Sequence, residues 1–130
     1  MTRHTFDFIL SHPGRPYFIA SLCYIGVIFF LSSLPDSSLS PGWFTQKTVF
    51  WSLGHIPLYG ILAILLCLSR ISGWKVLSLS LCVALLDELH QAAVPGRTAS
   101  ALDILLDATG ILSALWVCRV RSNKMLRDRL

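Results

Sequence analysis

Hydrophobic residues occur in four long stretches, and short polar or proline-containing segments separate one stretch from the next. The stretches cover about residues 17–34, 48–69, 74–94 and 101–120. A helix needs roughly 20 predominantly apolar residues to cross the hydrocarbon core of a bilayer. The pattern therefore predicts an all-α fold: a single transmembrane domain built as a four-helix bundle, followed by a basic tail over residues 121–130.

The composition supports a membrane protein and argues against the other broad classes. Hydrophobic residues make up 54% of the 130 residues and charged residues only 14%, and the mean hydropathy is +0.64. Soluble domains carry about a quarter charged residues, and disordered chains are poor in apolar residues. The net charge of +4 is therefore interpreted as a signal of membrane topology, and no nucleic-acid partner is expected.

Lysine and arginine are distributed unequally between the two predicted sides of the membrane. The side that holds both chain ends and the second loop carries Arg3, Arg15, Arg70, Lys75, Arg119, Arg121, Lys124, Arg127 and Arg129. The opposite side carries only Lys47 and Arg97. Because cytoplasmic loops are enriched in these residues, both termini are predicted to be cytoplasmic, and the first and third loops to lie outside.

Ionisable residues inside the predicted spans are the least expected feature of the sequence. Four of the seven acids lie in spans three and four, namely Asp87, Glu88, Asp103 and Asp107. A charge at the bilayer centre costs at least about 2.5–3.5 kcal/mol, so such residues usually face a cavity or a partner. With a rise of about 1.5 Å per residue, Asp87, Asp107 and His55 all lie about 9–10 Å below the outer edge. Three helices thus place ionisable groups at one level.

Helical spacing also puts these polar residues on common faces. The faces are Asp87, His90 and Gln91 on span three, Ser100, Asp103, Asp107 and Gly110 on span four, and His55 with Tyr59 on span two. A bundle that turns these faces inward has a polar pocket open to the outside. The short loop at residues 95–98 makes spans three and four antiparallel neighbours and holds Arg97 over the mouth of the pocket.

Some of these residues also have ordinary structural explanations. Ser100 followed three residues later by Asp103 is a capping-box pattern at a helix start, where the helix dipole favours an acid. Three others have similarly simple roles open to them: a loop charge for Arg97, an interior hydrogen-bonded histidine for His55, and a neutral acid for Glu88. Asp87 and Asp107 are the hardest to explain in this way, because both lie deep and need partners.

The string DELHQAAVPGRTASALDILLDATG resembles the signature of the VanZ-like membrane proteins, whose founding member is associated with teicoplanin resistance. The pattern of that family is Asp-Glu-x-x-Gln, then Pro-Gly-Arg, then Asp and Asn with Gly in the next span. It falls here on Asp87, Glu88, Gln91, Pro95, Gly96, Arg97, Asp103 and Gly110, with LSSLP at 31–35 and Lys47, His55, Tyr59 and Gly60 matching upstream. One departure is Asp107, which stands where the family usually has Asn. The resemblance implies a small multi-pass protein of the bacterial plasma membrane, with a link to glycopeptide resistance, and leaves the chemistry open.

The pocket suggests three hypotheses of function. The first is an enzyme acting on a lipid-linked envelope molecule, with Asp87, Glu88, His55 and Asp107 as candidate catalytic groups, because crowded carboxylates can supply an acid and a base. Candidate substrate-binding residues are Arg97, Gln91, His90, Tyr59 and Asp103. The second is a binding protein for a lipid or lipid-like ligand. The third is a small proton or cation carrier, which would be expected to form a homo-oligomer.

A metal cofactor is left open by the sequence. If one is present, His55, Asp87 and Asp107 are the expected ligands. Their imidazole and carboxylate donors suit a divalent cation such as Mg²⁺, Mn²⁺ or Zn²⁺.

Overall fold

A computed structural model of the chain describes residues 14–34, 47–97 and 99–128. These residues form four helices: α1 (Arg15–Ser32), α2 (Lys47–Leu68), α3 (Gly73–Ala92) and α4 (Ala101–Arg127). The described part of the chain contains no strand, so the predicted all-α class is confirmed. Within the side chains that the structure describes, two helices are long and apolar enough to cross a membrane, namely Arg15–Ser32 and the part of α4 from Ala101 to Met125.

Helices α2 and α3 each contain residues that interrupt their apolar sequence near the site. In α2, Pro57 lies inside the helix. Because proline has no N–H, the carbonyl of Leu53 loses its regular helical partner two residues before His55. In α3 the two adjacent acids at positions 87 and 88 lower the hydropathy of its final turns.

The ends of the helices follow from local sequence. Pro16 lies in the first turn of α1, where a missing N–H removes no helical hydrogen bond. Residues 93–97, 99 and 100 lie in the short connection from α3 to α4. Gly96 has a φ of 82°, a backbone conformation that is unfavourable for residues with a side chain. This loop holds the last turn of α3 beside the first turn of α4. Helix α4 continues to Arg127 and so includes most of the predicted basic tail.

Helices α2 and α4 approach each other closely at two glycines. A Cβ atom placed on Gly110 would overlap the carbonyl oxygen of Ile56, and one placed on Gly60 would lie 3.5 Å from the Gly110 oxygen. Small residues at helix crossings allow such close approach of two backbones in membrane bundles. The contact fixes the register of the two helices, and it brings His55, which precedes Ile56, level with Asp107, one turn before Gly110.

The bundle buries many polar side chains and exposes many large apolar ones. Among the residues whose side chains the structure describes, nine hydrophobic ones are buried, and so are seven polar or charged ones, namely Ser21, Ser32, Ser80, Asp87, Glu88, Gln91 and Asp107. Twenty large hydrophobic side chains of the same set are exposed, and they occur on all four helices. Soluble monomers rarely expose so much apolar surface. A hydrocarbon environment removes the cost of exposing these side chains, which supports a membrane protein.

Candidate functional site

The pair formed by His55 of α2 and Asp107 of α4 lies at the centre of the site. His55 Nδ1 and Asp107 Oδ1 are 2.9 Å apart, and the two side chains are 12% and 1% exposed. When Asp107 is ionised, its oxygen can only accept a hydrogen bond, so Nδ1 is the donor; in the neutral imidazole the lone pair then lies on Nε2. The second carboxylate oxygen of Asp107, Oδ2, is shielded and has no hydrogen-bond partner among the described residues.

Glu88 of α3 completes a three-residue cluster with this pair. His55, Glu88 and Asp107 each offer one donor atom, and these atoms lie within 4.8 Å of one another. Glu88 Oε2 accepts a hydrogen bond of 2.7 Å from the backbone N–H of Ser100, directly before α4. The acid thus caps the N-terminus of α4 from the neighbouring helix, where the helix dipole favours a negative group. Its other oxygen, Oε1, is buried and lacks a partner within the described ranges.

A second polar cluster joins α3 to α1. Gln91 Nε2 donates to Asp87 Oδ2 at 2.9 Å and to Ser32 Oγ at 3.3 Å. All three side chains are buried, and Asp87 and Gln91 are one helical turn apart. This cluster holds the end of α1 against α3, and it engages one oxygen of Asp87 away from the His55 cluster.

Tyr59 lies between the two clusters. Its ring is nearly parallel to the ring of His55, with 6.3 Å between the ring centroids, and the residue is fully buried. The hydroxyl lies close enough to the carboxyl groups of Asp87 and Asp107 to interact electrostatically with both. The hydroxyl and Asp87 Oδ1 each lack a partner of good hydrogen-bond geometry in the described part of the chain. Tyr59 is therefore the side chain that connects the two groups of acids.

The remaining predicted residues lie around this centre, at the end of the bundle nearest the α3–α4 loop. His90 Nε2 is 2.8 Å from Ser33 Oγ, and its ring contacts Phe29 edge-on. Arg97 Nη2 donates a long hydrogen bond of 3.4 Å to the carbonyl of Leu31, and its Nε is shielded without a partner among described atoms. The Arg97 guanidinium is thus held only weakly by the protein.

Asp103 lies within electrostatic range of Glu88 and His55. Its Oδ1 is shielded and has no partner in the parts of the chain that the structure describes. The predicted capping box with Ser100 is replaced by the contact from Glu88 to the Ser100 N–H. Asp103 therefore adds a further carboxyl group beside the His55 cluster.

The four candidate catalytic residues thus lie close together, but in two clusters. The ligand set expected from the sequence, with Asp87 beside His55 and Asp107, differs from the geometry: the three donors that lie together come from His55, Glu88 and Asp107. Asp87 is instead held by Gln91. Sequence reasoning did not assign a role to Ser32 or Ser33, although the LSSLP motif contains both and could have indicated them.

The comparison with protein families gives one match. The VanZ/LLP1 family model matches residues 17–122, which contain all four helices except the ends of α1 and α4. The matched range includes every polar residue of the two clusters. No curated protein and no solved structure matches the chain.

Proposed function

The chain belongs to the VanZ/LLP1 family, and from this premise we propose that it is a four-span protein of the plasma membrane that binds a lipid-like or lipid-linked envelope molecule. Both termini are proposed to be cytoplasmic, so that the α3–α4 loop and the polar site face the outer leaflet. Four observations support this topology: two membrane-length helices, apolar side chains exposed on all four helices, polar side chains inside, and the nine-to-two distribution of basic residues.

The orientation has a direct test. A reporter that is active only in the cytoplasm, fused after residue 130, is expected to be active, whereas the same reporter inserted in the α3–α4 loop is expected to be inactive. The reverse pair of results would contradict the topology, and with it the outward-facing site.

The observation that carries the ligand-binding proposal is the buried cluster of His55, Glu88 and Asp107. Burying charged groups in an apolar bundle is costly, and apolar packing of the same volume usually stabilises a fold at least as well. Each of the two acids also has one buried oxygen without a partner within the described ranges. Stability alone therefore gives no reason for this cluster, and a polar ligand that contacts these oxygens does.

Arg97 and the apolar outer surface indicate the kind of ligand. The Arg97 guanidinium lies at the same end of the bundle as the cluster, and only one long hydrogen bond to a carbonyl holds it. Guanidinium groups bind phosphate and carboxylate with two parallel hydrogen bonds. Exposed hydrophobic side chains on α1 and α3, such as Phe30 and Leu89, suit the acyl or prenyl chain of the same molecule.

Ligand binding can be measured on the full-length protein in lipid nanodiscs formed directly from the bacterial membrane. Native mass spectrometry should detect one lipid-like species enriched over the bulk lipid on the wild-type protein. Glu88→Gln should reduce this enrichment about tenfold, since a hydrogen bond to a charged group contributes about 1.5–3 kcal/mol. Asp128→Asn, the same change of carboxylate to amide at an exposed position in the tail, is the control and should have no effect. An identical lipid profile for wild type and Glu88→Gln would contradict the proposal.

A link to glycopeptide resistance is the most specific part of the proposal. It comes from the family alone. Expression of the wild-type protein in a susceptible bacterium should raise the inhibitory concentration of teicoplanin, and Glu88→Gln should abolish the increase at equal membrane abundance. An unchanged inhibitory concentration with the wild-type protein would exclude this role and leave ligand binding intact.

Acid–base catalysis is a second candidate, favoured by the hydrogen bond between His55 and Asp107. A carboxylate on Nδ1 orients the imidazole and leaves Nε2 to accept a proton, as in hydrolytic triads. Glu88, at the other side of the cluster, can supply the acid. Incubation of the co-purified lipid with wild-type protein should then give a product that His55→Gln does not form. Absence of any product would leave the protein a binding protein, and proton-coupled uptake by proteoliposomes would instead favour a carrier.

A further inference from the structure

We propose that His55, Glu88 and Asp107 together bind one divalent transition-metal ion, Zn²⁺ or Mn²⁺, and that this ion holds an anionic head group of the ligand. The metal site itself stands on the geometry of the three residues. Its role toward a head group rests on the function proposed above.

The donor atoms fit such an ion in type and position. Imidazole nitrogen and carboxylate oxygen bind Zn²⁺ at about 2.0–2.2 Å, which places tetrahedral donors about 3.4 Å apart. The donors here lie within 4.8 Å of one another, so the most distant pair must approach by up to about 1.4 Å to reach the tetrahedral spacing. The donors come from three different helices, so the packing of the helices fixes the positions from which these side chains extend. Three coordinating residues leave one coordination position for an oxygen of the head group, as in catalytic metal sites.

The buried oxygens without partners are a second, independent observation. Glu88 is 3% exposed and Asp107 is 0% exposed, and Glu88 Oε1 and Asp107 Oδ2 have no hydrogen-bond donor among the described residues. Buried polar atoms in proteins nearly always have a partner, which can be an ion. Glu88 Oε2 is already held by the Ser100 N–H, and such a hydrogen bond orients a metal-binding carboxylate. The ion would bind His55 at Nδ1, which lies 2.9 Å from Asp107 Oδ1, and it would replace the proton that these two atoms share.

The charges of the cluster also favour a divalent cation. Two carboxylates and a neutral imidazole carry a charge of −2, and one divalent ion makes the site neutral in its apolar surroundings. Without the ion, the acids around His55 would repel a phosphate or carboxylate head group. With the ion, and with Arg97 at the same end of the bundle, the site attracts such an anion. The metal thereby reconciles an acidic site with an anionic ligand.

The experiment uses full-length protein, purified without a polyhistidine tag, stripped with a chelator and titrated with Zn²⁺ alone and with Mn²⁺ alone. One equivalent should bind to the wild-type protein. Glu88→Gln and Asp107→Asn should each raise the Kd at least about tenfold, because even residues that only orient ligands change metal affinity about 10–100-fold. Asp128→Asn is the control, since it makes the same change of carboxylate to amide at an exposed position directly after α4, and it should keep the wild-type Kd.

A spectroscopic measurement keeps the inference testable if a variant is destabilised. Bound Mn²⁺ should show a nitrogen coupling in pulsed electron paramagnetic resonance of the wild-type protein. His55→Gln, compared at equal bound Mn²⁺, should lose that coupling. The metal site is excluded by the absence of binding to wild type, by an equal Kd for wild type and Glu88→Gln, or by a loss of affinity in Asp128→Asn as large as that in Glu88→Gln.

The proposed metal site and the proposed ligand binding can be contradicted independently of each other. If chelation removes the co-purified lipid and Zn²⁺ restores it, the bridging role of the ion is supported. If the lipid stays bound after chelation, the bridging role is overturned while ligand binding stands. If the metal binds but no lipid is enriched, the proposed ligand function fails and the metal site remains.

Discussion

The two halves of the bundle differ in what they bury. The site half, at the end of the α3–α4 loop, buries Asp87, Glu88, Gln91 and Asp107. The opposite half, at the end of the α2–α3 turn, buries mainly small and aliphatic side chains, such as Leu62, Leu66, Val76 and Ala114. The same helices form both halves. We infer that the apolar half stabilises the helix packing, and that this packing holds costly polar groups in place in the site half.

The largest expected effect is a loss of stability when a substitution creates a cavity in the apolar half. Leu62 is fully buried, and Leu62→Ala should lower the free energy of unfolding by about 2–4 kcal/mol, since the cavity removes contacts that the neighbours cannot restore. Thermal unfolding in detergent measures this loss. Metal and lipid binding by the fraction that remains folded should equal those of wild type. A loss of binding without a loss of stability would contradict the division between the halves.

A smaller loss of stability is expected where α2 and α4 cross. Gly110→Ala places a methyl group against the Ile56 carbonyl and should destabilise the fold by about 1–3 kcal/mol, because the two backbones must move apart. Gly54→Ala on α2 is the control, since a Cβ there has no neighbour within 4 Å. Because the crossing sets the distance between His55 and Asp107, Gly110→Ala should also weaken metal binding. Equal stability of the two variants would show that the crossing is loose.

Arg97→Lys should have a still smaller and more selective effect. Lysine keeps the charge but loses the planar pair of donors, so lipid enrichment should fall several-fold while stability and the Kd for the metal alone stay at wild-type values. Native mass spectrometry and metal titration on the same preparation measure both quantities. Wild-type lipid enrichment in Arg97→Lys would assign Arg97 a role as a loop charge only.

The sequence predicted the helices well and the site only partly, for identifiable physical reasons. Hydropathy located all four helices, because a bilayer-length apolar run is a strong pattern. Counting residues from the predicted outer edge placed His55 and Asp107 at one depth, and the structure brings them into contact. Spacing could not decide whether Asp87 or Glu88 faces this pair. The two side chains point about 100° apart on the helix, so the choice depends on the rotation of α3 about its axis, which tertiary packing sets.

The contacts of α1 were also beyond prediction. Ser32 ends a stretch of apolar sequence, and its hydrogen bond with Gln91 joins residues 59 positions apart. Nothing local indicates such a partner. The close approach of Gly110 to Ile56 likewise depends on which faces of α2 and α4 meet, which hydrophobic periodicity does not fix when most positions are apolar.

The central claim, that His55, Glu88 and Asp107 act as one coupled site, is tested most directly by a double-mutant cycle on ligand retention. The first cycle consists of Glu88→Gln, Asp107→Asn and the double variant. A second cycle consists of Asp87→Asn, Asp107→Asn and their double variant. All variants are compared at equal membrane abundance. Groups in one network show coupling energies of about 0.5–3 kcal/mol. We therefore predict that each single change in the first cycle removes most of the retained lipid and that the double change adds little. The second cycle should show weaker coupling, because it acts through Tyr59. Effects of Glu88→Gln and Asp107→Asn that simply add would contradict a shared site.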